Sequence, residues 1–88
     1  MDVHDILQEL EALAERLTVE VRYEALDGRG GLCRFGGKWR LILNRSLSTE
    51  ERIQILAREL VRFPLDDLFV LPRIRTILEE YGFGVSAQ

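Results

Sequence analysis

Apolar residues at Val3, Ile6, Leu7, Leu10, Leu13, Ala14 and Leu17 recur at steps of three and four. That repeat belongs to a helix burying one face, and it predicts an amphipathic helix over residues 3–17 with Asp2 as N-cap. In VEVRYEAL the rhythm changes: Val19, Val21, Tyr23 and Ala25 alternate with Glu20, Arg22 and Glu24, which predicts a strand with one face buried. DGRGG at 27–31 reads as a turn. LCRF and KWRLIL flank Gly36-Gly37, a pair able to take the positive φ values of a tight hairpin, so two more strands follow.

The helical repeat then returns. In NRSLSTEERIQILARELVRFP, Ser48 and Glu51 form a capping-box pair, and Ile53, Leu56, Ala57, Leu60 and Phe63 fall on one face at 100° per residue. Glu51, Ile55, Arg58 and Arg62 fall opposite, so Ile55 is expected to be an exposed apolar residue needing cover from another segment or a partner chain. Pro64 ends the helix. LDDLFVL, with Asp66-Asp67 after the proline, is expected to form a short helical turn. Pro72 suits the first turn of a last helix carrying Ile74, Ile77, Leu78 and Tyr81, which Gly82 would close in the left-handed conformation. GFGVSAQ reads as a tail from which Phe83 and Val85 dock on the core. The expected fold is α+β: one two-layer domain over residues 1–88, in the order helix, three-stranded sheet, helix, helix. Its mixed sheet packs on the Ile53, Leu56, Leu60 and Phe63 face.

Composition changes this picture little. With 47% hydrophobic and 31% charged residues over 88 positions, the chain lies far from the signature of disorder and holds a small core. Cys33 is the single cysteine, so no intrachain disulfide forms, and it reads as a small buried hydrophobe. His4 reads as a lone surface or cap residue. No signal-peptide layout or membrane-length apolar run is present, and the expected location is the cytoplasm. The net charge of −3 hides a division: residues 1–27 sum to −6, residues 28–63 to +5 and residues 64–88 to −2. A basic middle attracts anions, or is neutralised by the acidic ends.

The stretch LILNRSLSTEERIQILAREL resembles the zincin metallopeptidases, in particular the ImmA/IrrE-like group, in which a strand ends in Asn, an LS cap opens a helix, and Ala precedes the zinc motif. The likeness is close over residues 41–63 and looser in element order beyond. It implies a minimal zincin-like core. In the family, His-Glu-x-x-His on this helix holds zinc with both histidines, while the Glu activates bound water. Those positions here are Arg58, Glu59 and Arg62. Arginine stays protonated and has no lone pair to offer a metal. The family's third ligand would come from a later helix, where Glu79 and Glu80 are the candidates.

The resemblance therefore implies a degenerate motif, no catalytic residues, no metal and no cofactor. The expected function is that of a non-catalytic, protein-binding or regulatory module. Ile55, Arg58 and Arg62 are its candidate contacts to a partner or anion, and a homodimer is one form the partner could take. The plainer reading leaves the arginines on a solvated face, with Glu59 and Arg62 as an i,i+3 pair and Asp66, Asp67, Glu79 or Glu80 neutralising the rest. The alternative function is a nucleic-acid or other anion-binding module using Arg22, Arg34, Lys38 and Arg40, against which the overall acidity counts. Trp39 alternates with Leu41 and Leu43 and reads as a sheet-packing aromatic.

Overall fold

The computed structural model describes residues 1–83 and has the element order that the periodicity predicts. α1 (Val3–Arg16) is opened by a reciprocal capping box: the Asp2 carboxylate accepts from the Asp5 amide at 3.0 Å, and the Asp5 carboxylate accepts from the Asp2 amide at 3.3 Å. Accepting that amide holds the Asp2 carboxyl below its ordinary range. Ile6, Leu7, Leu10, Leu13 and Ala14 face inward. The helix ends by reversing through Thr18, whose φ of 63° lies in the left-handed region. A β-branched residue is strained there, and nothing in the sequence pattern announces it.

The reversal feeds β1 (Val19–Glu24) directly. β2 (Gly30–Phe35) and β3 (Lys38–Asn44) form the expected hairpin, with Gly36 and Gly37 at φ 59° and 82° between them. The hairpin folds back so that β3 takes the centre. The order is β1-β3-β2, with β1 parallel to β3 from Val19 beside Trp39 to Glu24 beside Asn44, and β2 antiparallel to β3. Ala25 lies beyond the strand, and Gly30 and Gly31, expected in the turn, belong to β2. Gly30 is required by close approach: at φ 116°, a Cβ would lie 2.0 Å from the Ile42 carbonyl oxygen. Asn44 anchors the connection from β1 to β2. Its side-chain amide donates to the carbonyls of Leu26 (3.0 Å) and Gly28 (2.8 Å), and its side-chain oxygen accepts from the Ser46 amide.

α2 (Thr49–Leu60) starts at Ser48, whose hydroxyl accepts from the Glu51 amide at 3.1 Å while the Glu51 carboxylate accepts from the Ser48 amide at 2.9 Å. These bonds push the Glu51 carboxyl down. Ile53, Leu56, Ala57 and Leu60 are buried as the helix phase predicts. Ile55 is buried too, only 6% exposed, which corrects its expected exposure. The expectation assumed that α2 lies on a single layer. In the fold it is flanked by α1, by the C-terminal helical segment and by β2, so the covered arc spans about 200° of an ideal helix.

Beyond Pro64 the chain makes a hydrogen-bonded turn, Leu68 to Leu65 at 3.1 Å, rather than a helix. α3 (Pro72–Leu78) begins at Pro72 and continues as one π-helical turn, Glu79–Phe83. Gly82 lies inside this turn and does not adopt the expected left-handed cap. Its smallness serves packing instead: a Cβ would sit 2.5 Å from a Val61 methyl at the end of α2. The expected docking of Phe83 and Val85 side chains falls outside what the structure describes. The core unites the inward faces of all three helices with Val19, Leu41 and Leu43 of the sheet.

Candidate functional site

On α2 the three motif positions separate. Arg58 and Arg62 are exposed, whereas the Glu59 side chain is 17% exposed and accepts from Arg62 at 2.8 Å. The i,i+3 pair expected from the sequence is thus formed. Asp66, Asp67, Glu79 and Glu80 were expected to neutralise the remaining arginine charge. Among the described residues the ion pairs are instead Arg22–Glu24, Arg40–Glu20 and Arg62–Glu59, and Arg58 has none. Four grooves of about 260–470 Å³ indent the surface, and none of these is lined by Arg58, Glu59 or Arg62. Glu80 lines one of them beside Glu50, Ile53 and Gln54, toward the N-terminal half of α2.

This donor set does not fit zinc. The two positions to which the resemblance assigns zinc ligands are cations, Glu59 is bound to one of them, and among the described residues no three His, Cys, Asp or Glu side chains gather into a metal-holding group. With Ile55 buried, the apolar residue that suggested a partner on this face is absent from its surface.

The strand cations also disperse. Arg22 pairs with Glu24 at 3.1 Å, and Arg40 bonds Glu20 at 2.9 Å while lying over the Phe35 ring. These residues occupy the face of the sheet opposite the helices. Arg34 belongs to the inner face, over the Trp39 ring, 5.0 Å from its centroid. Trp39 packs edge-on against Phe63 at 5.8 Å, as a sheet-packing aromatic should. Cys33 is exposed, against expectation, because its register opposite Arg40 puts it on the uncovered face. His4 is exposed as expected. No helix among the described residues is long and apolar enough to cross a membrane.

The most voluminous of these grooves, about 470 Å³, is open and shallow and runs along β1, where α1 turns back beside it. Glu11 and Glu15 of α1 form one wall. Thr18, Val19, Glu20 and Val21 form the other, and Lys38 and Trp39 close the end where β1 and β3 begin. Burial is incomplete but the wall is ordered: the Tyr23 hydroxyl donates to the Glu11 carboxylate, and Arg52 of α2 lies over the Tyr23 ring, 4.6 Å from its centroid. Arg52 also donates to the carbonyls of Leu47 (3.1 Å) and Arg45 (2.9 Å), so one chain of contacts ties α1, β1 and the entry to α2. Burial and the Glu11 carboxylate raise the Tyr23 pKa well above its ordinary value near 10.

Sequence reading did not single out this groove. Its only early signals were the acidic first block and the i,i+4 spacing of Glu11 and Glu15, and neither says which strand ends up at an edge. No protein-family model, curated protein or solved structure matches the chain.

Proposed function

We propose that this chain is a non-catalytic, zincin-like module that works by binding another protein. The observation that carries the reading is the state of the motif on α2: exposed arginines stand at both ligand positions, and Arg62 holds the Glu59 carboxylate at 2.8 Å. A carboxylate oxygen already engaged by a guanidinium is not free to hold a water, and two cations repel the metal that would acidify that water. What such a domain retains is a small rigid framework with a strand at each sheet edge, and exposed edges are surfaces through which small sheets engage other chains.

The test is metal analysis of the purified protein together with a peptide-hydrolysis assay. Less than one zinc per several chains and no hydrolysis above a Glu59→Gln control are expected. Stoichiometric zinc with hydrolysis abolished by Glu59→Gln would overturn the reading. Replacing Arg62 with Ala should change stability by only about 0.2–0.5 kcal/mol, the worth of one exposed i,i+3 pair.

A further inference from the structure

We propose that the groove along the open edge of β1 receives an extended, basic segment of the partner protein, added to the sheet as a fourth strand; this rests on the protein-binding reading above. β1 is terminal in the order β1-β3-β2, so along its outer edge its backbone has no neighbouring strand among the described residues. An unpaired edge offers a row of donors and acceptors that an incoming extended chain satisfies. The outer edge of β2 is unpaired among the described residues as well; what distinguishes the β1 edge is the acidic helix wall beside it.

Charge selects the incoming chain. Glu20 is held by Arg40, which leaves Glu11 and Glu15 lining the groove against one base, Lys38. Glu15 has no hydrogen bond or ion pair to its side chain among the described residues, so its charge is available at the surface. Spacing selects it as well. Glu11 and Glu15 stand i,i+4 on α1, about 6 Å apart along the axis, while residues i and i+2 of an extended chain project to one side about 6.6 Å apart. A strand carrying Lys or Arg at alternate positions therefore presents its charges at the interval of the two carboxylates, and its intervening residues face the other way. An acidic strand meets repulsion from the same wall.

Trp39, the one tryptophan of the chain, closes the groove and reports on its filling. The experiment is a Trp39 fluorescence titration of the full chain with a synthetic peptide of alternating lysine and threonine. Its controls are the same peptide with glutamate for lysine, spermidine, and two versions N-methylated on one or the other set of alternate amides. Saturable binding of the lysine peptide is expected, weakening as salt rises, with no binding of the glutamate peptide. One N-methylated version should lose binding and the other keep it, since only one set of amides faces β1.

Glu15→Gln should weaken binding about two- to fivefold, the range for one exposed ion pair, and Glu15→Lys should weaken it further. Glu15 is chosen over Glu11 because Glu11 also accepts from Tyr23, so its replacement disturbs the fold. Equal binding by wild type and Glu15→Lys, equal binding of both N-methylated peptides, or spermidine matching the lysine peptide would each overturn the proposal. A protein free of zinc and hydrolysis that ignores the lysine peptide loses this groove assignment alone, whereas a zinc-dependent hydrolase loses the protein-binding reading whatever the peptide does.

Discussion

The two edges of the sheet are built from similar material and end in different states. At the β2 edge the nearby helix is α2, which contributes Ile55 and its other apolar residues to the core. At the β1 edge the neighbouring helix is α1, and its surface presents Glu11 and Glu15 across a groove that stays open. Among the described residues both strands keep an unpaired outer backbone, and the β1 edge has a wall of carboxylates beside it. The contrast teaches that in a three-stranded sheet the helix beside each edge decides which chemistry an incoming chain meets there.

Ile55→Ala tests the covered side most severely. If Ile55 is a core residue, the loss is about 2–5 kcal/mol, read as a lower denaturation midpoint; a midpoint within ~0.5 kcal/mol of wild type would return Ile55 to the surface and erase the contrast. Gly30→Ala comes next. The left-handed φ alone costs about 1–3 kcal/mol, and the clash with the Ile42 carbonyl adds to it, so β2 should part from β3. Amide exchange should then speed up in the hairpin before it does in β1.

On the open side, Tyr23→Phe removes the hydroxyl that holds Glu11 in the groove wall. For a half-buried bond to a carboxylate, a loss of about 1 kcal/mol is expected. The same residue gives a pH signature. Because its pKa is raised in the fold, the stability it contributes is fully present below the unfolded value near 10 and is lost as pH rises above it. Alkaline titration of stability should show that decline in wild type and less of it in Tyr23→Phe. An identical decline in both would separate Tyr23 from the network. The smallest effect is a gain: Thr18→Gly relieves the left-handed strain between α1 and β1, offset by a more flexible unfolded chain, and should stabilise by about 0.5 kcal/mol. A loss instead would mean that the Thr18 side chain contributes to the groove wall more than its backbone costs.

The capping boxes at Asp2 and Ser48, the glycine pair of the hairpin, the proline that starts α3 and the inward stripe of α1 were all legible in the sequence, because each depends on residues a few positions apart. The arginines at the motif positions were equally legible, since the charge of a side chain is a local property. Ile55, Cys33 and Gly82 were misread because their environments are made by distant chain. Neighbouring elements close over the flank of α2 that carries Ile55, no layer among the described residues covers the outer face of the sheet, and Val61 presses on the final turn. The groove beside β1 belongs with them. Spacing alone placed Glu11 and Glu15 on one helix face, but only the hairpin's return to put β3 in the centre made β1 an edge and set those carboxylates beside an unpaired strand. Periodicity specifies which faces are apolar; strand order, which no local pattern encodes, decides what each face meets.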